Sequence, residues 1–276
     1  MTLLIMTESL VVGGTTGFFS GLLGVGGGFI MIPLLTVLGV PIHTAVGTCL
    51  AFVACASLAG IIQHVRQGSI DPIVALIMTL PAALMASVAA HFSSLLSPQT
   101  LHVLFSLLLV GIMVLYRLAP AAPPLKTLPA PPAPAARWYI LQRQRIVGDM
   151  PYQYDVDVMK AMLSGMVTGM LTGLFGIGGG VLLVPLIVVV LHVPLRVTAG
   201  TSLAVFILPS VVGSFTHWRL GNVDVHLWIP LVVAGIVCSQ VGARCVIHMS
   251  PAMLKRLFLL LVLAGAVFMM GKGLVE

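Results

Sequence analysis

Leu23-Gly24-Val25-Gly26-Gly27-Gly28-Phe29 decides the reading of this chain, because the run returns as Phe175-Gly176-Ile177-Gly178-Gly179-Gly180-Val181. A second glycine-bearing stretch precedes each run, Gly13-Gly14-Thr15-Thr16-Gly17 or Gly165-Met166-Val167-Thr168-Gly169, and a proline, Pro33 or Pro185, follows. Working outward, Gly47-Thr48-Cys49-Leu50-Ala51 matches Gly200-Thr201-Ser202-Leu203-Ala204. Ser57 matches Ser210, His64-Val65-Arg66-Gln67-Gly68 matches His217-Trp218-Arg219-Leu220-Gly221, and Asp71 matches Asp224. A register held this far marks an internal repeat. The chain reads as two copies of one unit, residues 1–118 and 158–276, joined by a linker over 119–157.

Hydrophobic residues make up 59% of the chain and charged residues 7%. Too few charges remain to cover a globular surface, which excludes a soluble domain. The apolar stretches reach the roughly 20 residues of a membrane-spanning helix, and the alternating pattern of a barrel strand is not seen in them. The fold class is an all-α polytopic membrane protein. The first apolar segment lacks the basic start and small-residue cleavage site of a secretory signal, so it is expected to stay in the mature chain. Cys49, Cys55, Cys238 and Cys245 lie in apolar segments with no Cys-x-x-Cys pair. They are read as packing residues, with no metal site, cofactor or disulfide framework. The net charge of +6 is ascribed to orientation in a lipid bilayer, with no nucleic-acid partner.

Each half reads as two short apolar pieces flanking the glycine run, then three full spans. In the first half these are roughly 9–23 and 29–39, then 42–65, 72–92 and 100–118. In the second they are roughly 158–175 and 181–192, then 194–217, 226–248 and 252–271. Residues 119–136 are nearly all proline and alanine and read as an extended spacer. Residues 137–157 mix arginines with Trp138, Tyr139, Tyr152 and Tyr154, a composition suited to the bilayer interface.

A piece of about 11 residues rises about 16 Å, against a hydrocarbon core of about 30 Å. The two pieces therefore form either one broken span, giving parallel repeats, or a re-entrant hairpin, giving inverted ones. Lysine and arginine gather on the cytoplasmic side. The hairpin arrangement puts eleven of them with the linker against two, Arg219 and Lys272; the broken span gives nine against four. The tally favours inverted repeats with a cytoplasmic linker.

Three consecutive glycines inside a helix would cost about 1 kcal/mol each relative to alanine, so something must require them. One reading is a helix broken within the membrane, whose reopening amides bind an anion, through Gly26, Gly27, Gly28 and Phe29 and through Gly178, Gly179, Gly180 and Val181. The other is close packing of small residues against a neighbouring helix. Thr48, Ser57, Thr201, Ser202 and Ser210 put hydroxyls on the span after each glycine run; they either meet an oxyanion or bond their own helix. His64 and His217 either complement a helix end before Gly68 and Gly221 or act in gating or proton coupling. The seven acids all fall outside the deep part of a span, which disfavours a carboxylate relay and an intramembrane protease.

These motifs resemble the TauE/SafE family, the sulfite exporter or four-toluene sulfonate uptake permeases. The resemblance lies in Gly21-Leu22-Leu23-Gly24-Val25-Gly26-Gly27-Gly28 and Gly173-Leu174-Phe175-Gly176-Ile177-Gly178-Gly179-Gly180 with their prolines, in Gly47-Thr48 and Gly200-Thr201, and in the two His-x-Arg-x-Gly segments. It covers nearly the whole chain outside the linker. It implies a bacterial-type inner-membrane carrier, not an enzyme, for small sulfur-containing anions such as sulfite, sulfoacetate or other organosulfonates. The long Pro/Ala linker departs from the usual family layout. Uptake and export both stay open, as do oligomeric state, a channel-like anion pathway and a role as membrane subunit of a larger complex.

Overall fold

The computed structural model describes residues 2–23, 26–66, 68–118, 139–147, 150–178, 180–245, 249 and 251–275. Ten helices and one two-stranded sheet are described: α1 (Thr2–Leu23), α2 (Gly28–Val37), α3 (Ile42–Arg66), α4 (Pro72–Leu95), α5 (Pro98–Leu118), β1 (Ile140–Val147), β2 (Met150–Asp157), α6 (Val158–Phe175), α7 (Gly180–Val189), α8 (Leu195–Arg219), α9 (Val225–Cys245) and α10 (Pro251–Val275). Seven of the helices, α3, α4, α5, α6, α8, α9 and α10, are long and apolar enough to cross a membrane. The protein is a polytopic, helical membrane protein. Along α4, Leu76, Leu80, Leu84, Val88 and Phe92 are exposed at helical spacing while Met78, Ala82 and Ala86 are buried, the pattern of a helix with one face to lipid.

Glycine sets which helices meet. A Cβ on Gly13, Gly17 or Gly21 of α1 would run into the backbone of Leu231, Gly235 or Ser239 on α9; on Gly165, Gly169 or Gly173 of α6 it would run into that of Met78, Ala82 or Ala86 on α4. Small residues at every fourth position let two backbones touch. In both pairs the numbers rise together, so α1 runs parallel to α9 and α6 parallel to α4. α4 also runs parallel to α8, Ser87 meeting Thr216 as Asp71 meets Thr201. Two further pairs are antiparallel. Gly47 meets His217 and Leu50 meets Gly213, joining α3 to α8; Ser106 donates to the Ala266 carbonyl at 2.8 Å and Val103 meets Gly273, joining α5 to α10.

The two helices flanking the first glycine run form a hairpin. Along α2, Phe29 stacks edge-on with Phe258, Pro33 lies by Gly265 and Thr36 meets Met269, so α2 runs parallel to α10. Asn222, just before α9, lies by Gly47 near the start of α3, and Ser93, just before α5, meets His43 there. Thus α9 and α5 start at the same end, α10 finishes there, and α2 returns towards the end where α1 began. The first arm is longer than the sequence suggested: α1 starts at Thr2, not near residue 9, and has 22 residues. The glycines incur no helix penalty, because Gly26 and Gly27 (φ +78° and +75°) form the break itself.

The linker holds an element that the reading of composition missed. Residues 140–157 form an antiparallel hairpin, Arg143 opposite Tyr154 and Arg145 opposite Tyr152, strands that the composition did not assign. The alternation Tyr152-Gln153-Tyr154-Asp155-Val156 buries Tyr152, Tyr154 and Val156 on one face, the period-2 signature of a half-buried strand. The Pro/Ala spacer at 119–136 lies outside the described residues.

This hairpin clasps the start of α4. The Asp71 carboxylate, fully buried, caps the helix by accepting from the amides of Ile73 and Val74. It also accepts two hydrogen bonds from Arg143, at 2.9 and 2.8 Å, and one from the Tyr154 hydroxyl at 2.7 Å. Arg145 stands 3.7 Å away. Burial pushes the Asp71 carboxyl up, but the bonds from Arg143, Tyr154 and Val74 and the arginine's charge outweigh it and hold the group at about 2. Burial first, then the hydrogen bond to Asp71 and the charge of that carboxylate, push the Tyr154 phenol above its ordinary range.

Candidate functional site

The two helix breaks face each other. A Cβ on Gly28 would stand 2.6 Å from the Ile177 carbonyl oxygen, so the opening of α2 lies against the loop between α6 and α7. Gly27 is the left-handed residue before α2, and its carbonyl accepts the first helical bonds, from Ile30 and Met31. The amides of Gly28 and Phe29 precede those bonds, as the first amides of any helix do. On the second side, Gly176 (φ +69°) ends α6, its amide bonding the Thr172 carbonyl. Gly178 (φ +64°) packs on Val53, and buried Gly180 opens α7. Gly24, Val25 and Gly179 lie outside the described residues, as does the side chain of Val181.

The predicted hydroxyls divide. Thr48 and Thr201 are fully buried but stand at opposite ends of the molecule. Thr201 accepts from the Asp71 amide at 2.9 Å and Thr48 from the Asp224 amide at 3.1 Å, each closing a corner against the other half of the chain. Ser57 and Ser210 are buried near the middle of α3 and α8, and Ser202 is buried one residue beyond Thr201. Ser210 has no hydrogen-bond partner for its hydroxyl.

The histidines separate as well. His64 Nδ1 meets the Ser69 hydroxyl at 2.8 Å within its own turn, in keeping with a helix-ending role. His217 is fully buried, and its Nε2 lies 3.1 Å from the Gly173 carbonyl near the end of α6.

One residue beside the break had not been singled out. Thr16 is fully buried, its Oγ1 has no partner, and its methyl and carbonyl line Gly27. Neighbouring Thr15 bonds back to the Val11 and Val12 carbonyls; so does Thr168, the match of Thr16, to Ser164 and Gly165. The available signal was a threonine between the spaced glycines of α1, duplicated at Thr168.

Comparison with known proteins places the chain in a family. The family model described as sulfite exporter TauE/SafE matches residues 9–269. A Bacillus subtilis (strain 168) protein named "Probable membrane transporter protein YdhB" is 30% identical over 253 residues, covering 90% of this chain and 94% of its own. A "Probable membrane transporter protein" of Xylella fastidiosa (strain 9a5c) is 29% identical over 276 residues, covering 96% and 97%. No solved structure matches. With the glycine breaks, the spans after them and nearly the whole chain matched, the protein belongs to the TauE/SafE family of membrane transporters.

Proposed function

We propose that this transporter is a carrier of small sulfur oxyanions, sulfite or organosulfonates, whose site lies between the facing breaks. The observation that carries the reading is the contact of Gly28 with the Ile177 carbonyl, which brings the opening of α2 against the second break. Helix N-termini attract anions through free amides and the helix dipole. The amides of Gly28, Phe29, Gly180 and Val181 serve as donors, with hydroxyls from Thr16, Ser57 and Ser210 completing the shell. Thr48, Thr201 and Ser202 bound the same pathway where the corners close.

The two halves act as inverted repeats in alternating access. Supporting this, the matched helices α3 and α8 run antiparallel, as do α5 and α10, and α1 on α9 repeats the packing of α6 on α4. Among the described residues, nine lysines and arginines stand at the end that bears the β-hairpin and two, Arg219 and Lys272, at the other. That bias supports a cytoplasmic hairpin in a protein of the bacterial inner membrane. Of the two matched histidines, His217, which reaches across to α6, suits gating or proton coupling, while His64 ends its own helix.

The test is uptake of labelled sulfite and a panel of organosulfonates into liposomes containing the purified protein. Saturable uptake with mutual competition supports the carrier. Flux that rises linearly with concentration would make it a channel, and no uptake of any sulfur anion by folded protein would remove the substrate class.

A further inference from the structure

We propose that His217 is the proton-binding site of this carrier, and that a proton on its Nδ1 releases the end of α6. The proposal rests on the carrier reading and deepens it by naming the coupled ion. Among the described residues, the acids stand at helix ends, in the β-hairpin or, as Glu8, in the first turns of α1. Histidine is then the side chain inside the helices that takes up a proton near neutral pH.

His217 differs from the other histidines in what it holds. With Nε2 at 3.1 Å from the Gly173 carbonyl, the ring hydrogen sits on Nε2 and donates, which leaves Nδ1 buried with no partner. The next carbonyl, of Leu174, accepts from the Ser93 hydroxyl at 3.0 Å, and the Ser93 carbonyl meets His43 Nε2 at 3.0 Å. Two successive carbonyls at the end of α6 are thus held from α8 and α4, one residue short of the break. The other half lacks this arrangement: His64 bonds Ser69 in its own turn, and the residue matching His43 is Arg196.

The surroundings give an added proton nothing to bond. The neighbouring titratable group is His43, on α3, whose Nε2 meets the Ser93 carbonyl. From α6 the facing group is the Gly173 carbonyl, already engaged by His217 Nε2; the hydroxyls of Ser87 and Ser93 on α4 are engaged with Thr216 and the Leu174 carbonyl. His91 on α4 is exposed. In the following turn Arg219 lies two residues on, and Asp224 is engaged in capping α9 through His226 and Leu227. A proton on Nδ1 would therefore be a buried donor without an acceptor, and a charge beside His43. The held end must move, or an anion must arrive beside the ring. Either response ties proton loading to anion loading, since opposite charges in a dry interior stabilise one another strongly.

The experiment uses methanesulfonate, which stays ionised throughout and so does not follow pH by itself. Liposomes bearing wild-type protein, His217→Gln or His217→Ala are compared with and without an interior alkaline by one unit. One proton per anion predicts about tenfold accumulation in wild type. His217→Gln keeps a donor for Gly173 but takes no proton, so it should still move methanesulfonate downhill without accumulating it. His217→Ala should lose both. Accumulation by His217→Gln equal to wild type, or downhill transport by wild type that ignores the gradient, overturns the proposal. A second readout needs no substrate: hydrogen exchange of residues 172–178, corrected for intrinsic rate, at about pH 6 and about pH 8. It should be faster at acid in wild type and equal at both in His217→Gln. Acid-dependent exchange without methanesulfonate transport would keep the proton site and remove the substrate reading; exchange that ignores pH in wild type removes the proton site.

Discussion

Replacing Arg143 with alanine should destabilise the protein by about 2–3 kcal/mol at neutral pH. The substitution removes two short hydrogen bonds and the main countercharge from a carboxylate with a fully buried side chain. Stripping one partner from a buried ion pair costs about 3–5 kcal/mol. Here Tyr154, two helix amides and Arg145 at 3.7 Å stay behind, and Arg143 is itself 17% exposed, so the lower figure applies. The sign with pH follows from the Asp71 carboxyl, held at about 2 against the usual 3.8. A group depressed in the folded state stabilises above its unfolded value and loses that stabilisation as pH falls through the folded one. The shift corresponds to about 1–2 kcal/mol once solvent screening of the arginine is allowed for. Thermal unfolding in detergent should therefore show a drop on the order of 5–10 °C for Arg143→Ala at neutral pH, shrinking between about pH 4 and about pH 2. An unchanged midpoint at neutral pH, or a drop as large at the acid end, would refute the reasoning.

Gly169→Leu should abolish folded protein, because its side chain would enter the Ala82 backbone; size-exclusion profiles report this. Gly27→Leu and Gly179→Leu should lose anion binding, measured by scintillation proximity with labelled sulfite, in protein that still inserts. Thr16→Val should lower sulfite affinity about tenfold, the value of one hydrogen bond to a charged group. It should not lower the thermal midpoint, because the hydroxyl it removes is buried without a partner. Thr201→Val should cost about 1–3 kcal/mol in thermal unfolding by stranding the buried Asp71 amide.

The spans were legible in the sequence because apolar length is nearly sufficient to define a helix in lipid. The duplicated glycines marked the breaks at Gly26–Gly27 and Gly176–Gly178. What escaped depended on neighbours far along the chain. That Gly13, Gly17 and Gly21 pack on α9 follows from residues more than 200 positions away, and the glycine spacing alone names no partner. Both proposed uses of glycine, helix break and close packing, are present, one at Gly26–Gly27 and the other along α1 and α6. The strands at 140–157 carried a visible alternation, but averaging their charge and aromatic content concealed it. Thr16 could not be told from Thr15 by type; only the local hydrogen bonding separates a satisfied hydroxyl from an unsatisfied one.

The most direct test of the central claim is exchange of labelled sulfite across liposomes preloaded with unlabelled sulfite, in wild type and in Gly27→Leu. A carrier with its site at the facing breaks should show saturable uptake accelerated by sulfite on the far side. Gly27→Leu, less stable because Gly27 is left-handed and lined by Thr16, should show neither binding nor exchange in the protein that folds and inserts. Full exchange by folded Gly27→Leu would place the anion site elsewhere, and wild-type flux indifferent to sulfite on the far side would contradict the carrier itself.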